Sequence, residues 1–194
     1  YGTQKYLPLN QAIVTLGLNE LRNVLFMASL KNNCRQTMIG DNYITALFEA
    51  SMMCDMIFPE VYKMQTGLML PQQYHHFGLL FNVGKLLMAY FFPEEYKHVI
   101  RTISIAHDYS FYKTETYCQY KDISHMVIGG YFLSLWNFPE ELVTLMENYA
   151  ANNTNAVANA LYIADSLSNA CFSEFDIDYE LLSYYEKFPQ GYIE

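Results

Sequence analysis

The stretch from Phe77 to Leu87, Phe-Gly-Leu-Leu-Phe-Asn-Val-Gly-Lys-Leu-Leu, constrains this chain more than any other. A helix that is apolar nearly all round belongs in the middle of a domain, so the rest of the chain must wrap this segment. Gly78 and Gly84 lie inside it. Each costs about 1 kcal/mol against alanine in a helix interior, a cost that makes sense where another backbone must come close. Asn82 is the lone polar side chain between the glycines, and Lys85 follows the second. The cluster is either a packed helix crossing or what remains of a site. The helix that carries it is expected to start at Pro71, where a missing N–H costs nothing, and to reach Phe92.

Apolar residues recur at three-to-four spacing through most of the chain, the signature of amphipathic helices. Asn10 and Asn19 are expected to cap two short helices separated by Gly17, the second burying Leu21, Val24, Leu25 and Ala28. Residues 31–41 read as a loop. Asp41 or Asn42 then caps a helix that buries Ile44, Leu47, Phe48, Ser51 and Met52 and stops at Phe58-Pro59. Pro93-Glu94-Glu95 opens a helix with Val99, Ile100 and Ile103 inward, its acids favouring the helix dipole. Residues 107–122 fit no clear pattern. Asp122 is expected to cap a helix of Ile123, Met126, Val127, Gly130 and Leu133, with Gly129-Gly130 permitting close packing and Trp136 and Pro139 forming a packed corner. Pro139-Glu140-Glu141 repeats the earlier helix start. Ala156–Ala170 buries Ala160, Ile163, Ala164 and Leu167, and Tyr179–Phe188 forms a last short helix. No alternating strand pattern of useful length occurs. The expected fold is all-α, a compact helical bundle.

Composition narrows the function. The 194 residues are 52% hydrophobic and 16% charged, enough for one well-buried core. No apolar run suggests a membrane span. Cys34, Cys54, Cys118 and Cys171 form no C-x-x-C pair, and the adjacent His75 and His76 are poorly disposed as ligands, so reduced thiols are expected and a zinc site is not. The net charge is −9. Residues 1–138 carry ten acids and ten bases, whereas residues 139–194 carry ten acids and one base, Lys187. That balance argues against nucleic-acid and anionic-membrane partners. It suits a solvated acidic face or, second, an acidic docking surface that includes Glu174, Asp176 and Asp178. DNA binding through the helix pair at residues 10–30 lacks a basic cluster.

Several segments, in order, resemble one known family. "LNQAIVTLGLNELRNVLF" is similar to an early Ala-Ile-x-x-Leu-Gly helix pair, and "YITALFEASMM" fits the helix that follows. "FGLLFNVGKLL" resembles G-L-L-H-D-I-G-K-L, and "DISHMVIGGYFLSLWNFP" a later motif of His, Gly and Trp-x-x-Pro. These mark the HDOD domain, a non-catalytic relative of the HD phosphohydrolases. The resemblance implies one helical domain over residues 1–194, with residues 1–40 a helix pair from an N-terminal subdomain whose earlier helices are missing and residues 41–194 an HD-like core.

It also implies a degenerate site. HD enzymes hold a divalent ion with an adjacent His-Asp doublet, a His from an earlier helix and an Asp from a later one, and the ion activates a water. Here the doublet positions are Phe81 and Asn82, the earlier His matches Thr45, and Asp165 matches the later Asp. Phe cannot ligate, and Asn lacks the charge a hard cation needs. No catalytic residue, metal or cofactor is expected. Asn82 and Asp165 are expected to hydrogen-bond each other or backbone. His125 is read as a structural, hydrogen-bonded His near a helix start, with a ligand or proton-donor role as the alternative. Lys85 either pairs with Asp165 or Glu115 or is solvated. The resemblance implies a non-enzymatic, cytoplasmic bacterial signalling module that acts on a protein partner. The alternative is a divergent metal-dependent phosphohydrolase or cyclic-nucleotide phosphodiesterase.

Overall fold

The structure, a computed structural model, describes residues 18–34, 39–106, 111–118, 124–147 and 155–172. The expected helices at residues 11–16 and Tyr179–Phe188, and the acidic turn at Glu174–Asp178, lie outside these residues. Among the described residues the chain is all-helical. The helices are α1 (Leu18–Cys34), α2 (Asp41–Thr66), α3 (Phe77–Phe81), α4 (Val83–Phe91), α5 (Pro93–Ala106), α6 (Phe111–Tyr117), α7 (His125–Leu135), α8 (Glu140–Glu147) and α9 (Ala156–Phe172), with a 3₁₀ turn at Gln72–Tyr74. The long α2 packs along α9, α4 packs on α7, and α7 packs on α8. The central pair α3–α4 is enclosed, with Phe77, Leu80, Phe81, Val83 and Leu86 all essentially inaccessible to solvent.

The central stretch is not one helix. Pro71 precedes the 3₁₀ turn, and the chain reverses through His76 at φ 60° before α3 begins. Asn82, at φ −86° and ψ 10°, ends α3 and starts α4. Asp55 on α2 explains where α3 begins. Its Oδ1 accepts from the Leu79 N–H at 3.2 Å and its Oδ2 lies 3.0 Å from His76 Nδ1. A carboxylate from another helix thus caps an N-terminus that has no side-chain cap of its own. The glycines do what their cost implies. A Cβ on Gly78 would lie 2.6 Å from the Asp55 backbone, and one on Gly84 would overlap the His125 carbonyl. Gly129 faces Gly84, so α4 and α7 meet backbone to backbone.

Other boundaries differ for identifiable reasons. The helix expected to stop at Phe58-Pro59 runs on to Thr66 and ends at Gly67, left-handed at φ 72°, whose N–H bonds the Lys63 carbonyl at 2.8 Å. Proline costs about 3 kcal/mol inside a helix. Here Phe58 just before it and Val61 and Tyr62 beyond it keep the buried face continuous, and that packing prevails. Met52, expected inside, is 49% exposed. Helix α1 extends into the expected loop as far as Cys34. It buries Asn23, Met27, Leu30 and Cys34 and exposes Val24 and Leu25, which were expected inside. Apolar residues sit on both faces of α1, so spacing alone could not choose between them. The unassigned region contains α6. Asp122 is outside the described residues, and Ser124 caps α7 by accepting from the Val127 N–H at 3.3 Å. Val127 is exposed rather than buried. Trp136 is 45% exposed, not packed in a corner with Pro139.

The crossing at Gly84 should be intolerant of any side chain. Gly84→Ala should lower the urea midpoint by the equivalent of about 1–3 kcal/mol, the usual cost of overpacking, because the obstacle is backbone. Leu80→Ala, a cavity in the same centre, should cost about 2–5 kcal/mol. Unchanged midpoints in both variants would contradict a buried crossing.

Candidate functional site

Two buried polar pairs flank the α3–α4 break. The first joins Asn82 to α9. Asn82 Nδ2 donates to Asp165 Oδ1 at 2.9 Å, and Asn169 Nδ2, one turn along α9, donates to Asp165 Oδ2 at 3.1 Å. Asn82 is inaccessible to solvent, Asp165 is 7% exposed and Asn169 2%. The Asn82 Oδ1 has no hydrogen-bond partner among the described residues. Cys54 on α2 feels the same cluster. Burial pushes its thiol well above the ordinary value, Asp165 and Asp55 push it further, and Lys85 opposes them. Lys85 is 3% exposed, with Nζ 5.5 Å from the centroid of the Phe111 ring. The reading of a solvated Lys85 is therefore overturned. The α4 helix packs its apolar neighbours Leu86 and Leu87 inward and carries the ammonium in with them.

The second pair joins α6 to α7. Glu115 Oε1 accepts the His125 backbone N–H at 2.7 Å, and Oε2 lies 2.6 Å from His125 Nδ1. Both side chains are buried. One carboxylate therefore satisfies an orphan N–H at the start of α7 and orients the imidazole. A carboxylate facing Nδ1 accepts, so Nδ1 carries the hydrogen. Phe111 closes the assembly edge-on, 5.2 Å from the His125 ring. His125 is thus the hydrogen-bonded residue at a helix start that its position suggests.

The structure brings Asn82 and Asp165 together and gives His125 a different partner, Glu115. Phe81 is 1% exposed and packs edge-on to Phe77, 6.4 Å between centroids. Thr45 is half-buried on α2. Sequence reasoning missed two contributors, Asn169 and Asp55, and named a third, Glu115, only as a partner for Lys85. Asn169 follows Asp165 by four residues, a helical spacing that could have flagged it. Glu115 lay in a stretch without periodicity, and the capping role of Asp55 spans elements that only the fold unites. Among the described residues no group of three or more His, Cys, Asp or Glu side chains is placed to hold a metal ion.

The sequence matches the family model of the HDOD domain over residues 3–151. The chain belongs to the HDOD family. A solved HDOD domain protein of unknown function from Geobacter sulfurreducens shares its fold, with a TM-score of 0.62 at 17% identity. That likeness covers 93% of this chain and 63% of the other, so this HDOD chain spans less than two thirds of its neighbour's length. No curated protein matches. The HDOD match includes Thr45, Phe81, Asn82 and His125 and ends before Asp165.

Two outcomes follow. Glu115→Gln, which cannot serve both donors, should cost about 1–3 kcal/mol in denaturant unfolding. Wild-type stability would exclude the double acceptance. Burial also pushes the Cys34 thiol up to about 11, so a thiolate reagent near pH 8 should label exposed Cys171 and spare Cys34 and Cys54 until the chain unfolds. For Cys34 the folded state holds the proton more tightly than the unfolded one. Its contribution to stability is therefore full below the ordinary value of 9.0 and is lost as pH rises toward about 11. Labelling of native Cys54 at the rate of Cys171 would contradict its burial.

Proposed function

We propose that this HDOD chain is a non-enzymatic regulatory module that acts by binding another protein, as part of bacterial signalling in the cytoplasm. The observation that carries the reading is the Asn82–Asp165 hydrogen bond. An HD-type ion would need an imidazole and a carboxylate where Phe81 and Asn82 stand. The Phe81 ring offers no lone pair. Asn82 is neutral and directs N–H hydrogens at Asp165, and both oxygens of Asp165 already accept amide hydrogens. Donor hydrogens occupy the role that a cation would fill, so these residues do not fit a divalent ion. No helix is long and apolar enough to cross a membrane among the described residues.

The surface supports a protein partner. Helices α1, α4 and α7 frame a groove of about 660 Å³. Phe26, Phe132 and Trp136 cluster along it with centroids 4.8–5.3 Å apart, Phe132 stacking on both of the others. Leu25 and Phe91 are 60% and 63% exposed beside them. A preassembled aromatic platform rimmed by apolar side chains is the kind of surface that anchors a protein interface.

The deciding experiment incubates the protein with Mn²⁺ and, in turn, bis(p-nitrophenyl) phosphate and a cyclic dinucleotide. We expect hydrolysis at the buffer rate. Turnover that Asp165→Asn abolishes would return the chain to the phosphohydrolases.

A further inference from the structure

The groove between α1, α4 and α7 is left open by the described elements, and its lining specifies what can fill it. Leu25, Tyr90, Phe91 and Trp136 line it and are all exposed. The one charged lining side chain is Arg22, and no acid lines the groove among the described residues. A groove between helices takes a further helix that presents apolar anchors at three-to-four spacing. Here that helix should carry acids rather than bases, to meet Arg22 without repulsion.

The chain carries such a segment. Residues 173–194 follow α9 and lie outside the described residues. In the helix expected at Tyr179–Phe188, Leu181, Leu182, Tyr185 and Phe188 fall on one face, and Glu180, Ser183, Glu186 and Lys187 on the other. The segment holds six acids, from Glu174 to Glu194, and one base, Lys187. It can also reach. The hydrogen bond between Asn82 and Asp165 keeps their Cα atoms within ~10 Å. Phe172 is seven residues on along α9, ~10 Å, and Leu87, which lines the groove, is five residues on along α4, ~8 Å. Phe172 therefore stands within ~30 Å of the groove whatever the direction of α9, a gap that the chain from Phe172 to Leu181 spans when extended. We propose that residues 173–194 fold back and cover the groove, with Leu181, Leu182, Tyr185 and Phe188 against the Phe26–Phe132–Trp136 platform. The tether supplies an effective concentration of ~1 mM, so a segment whose free peptide binds with a Kd of ~50 µM fills the groove about twenty times more often than it leaves it. The meaning of the cover, an autoinhibitory contact over the surface assigned to a partner, rests on the protein-binding reading; the contact itself does not.

Trp136 is the chain's single tryptophan and lines the groove, so acrylamide quenching of its emission reads the cover directly. In the whole chain, Leu182→Asp together with Tyr185→Asp should raise the quenching constant about twofold as the groove passes from covered to open. Leu25→Asp, at an exposed groove residue, should do the same from the other side. Combining both sets of changes should add nothing further, because they break one contact. A synthetic peptide of residues 173–194 should restore protection to the Leu182→Asp, Tyr185→Asp chain with a Kd of ~10–100 µM and fail on the Leu25→Asp chain. Equal quenching in all chains, additive effects, or no restoration by ~1 mM peptide would overturn the proposal. So would wild-type protection that rises with protein concentration from ~1 to ~100 µM, which would put a second copy in the groove. The two readings fail separately. Phosphodiester turnover would refute the non-enzymatic reading with Trp136 still covered, whereas an open groove without turnover would strike the cover alone.

Discussion

The backbone contact between α4 and α7 at Gly84 is the constraint on which much of this structure depends. With no Cβ at Gly84, the His125 carbonyl sits where a side chain would otherwise be, and Gly129 completes the approach. This fixes the first turn of α7 against the centre of the domain. It places His125 within reach of Glu115 and so brings α6 onto the same surface. The rest of α7 then carries Phe132 and Trp136 to the groove and leads into α8. Gly78 plays the corresponding part against α2, where it lets α3 approach the Asp55 backbone closely enough for the carboxylate to cap it.

Around this crossing the core holds polar groups that a purely apolar centre would not need. Glu115, His125, Lys85, Asn82, Asp165 and Asn169 are all buried. Buried polar groups are tolerated when hydrogen-bonded and are costly when not. The network satisfies most of them through contacts between elements distant in sequence, and replacing one member leaves another without its partner. That arrangement makes the centre specific about how α3, α4, α6, α7 and α9 assemble. The break at Asn82 accordingly serves both the path of the chain and the link to α9.

The surface divides along α1. One side contributes Leu25 and Phe26 to an aromatic groove, and Arg22 and Asn23 line a polar pocket beside α8. Arg22 lines both. The two concavities therefore share one side chain, held against Phe138.

The sequence by itself determined the helical class, the family and the identity of the central segment. Each rests on local chemistry: three-to-four periodicity, proline-acid helix starts, and glycines whose cost implies close backbones. It also offered the Asn82–Asp165 bond as one of two ways to satisfy those groups, and favoured a hydrogen-bonded His125 near a helix start over a ligand role. Only the tertiary structure decided which face of α1 is buried, because apolar residues occupy both. It alone showed that Pro59 lies within a helix, because burial along α9 outweighs a local penalty. The break at Asn82, the cap from Asp55 and the clasp of Glu115 on His125 were equally beyond the sequence. Each depends on atoms from separate helices arriving together, and nothing in local spacing encodes that meeting.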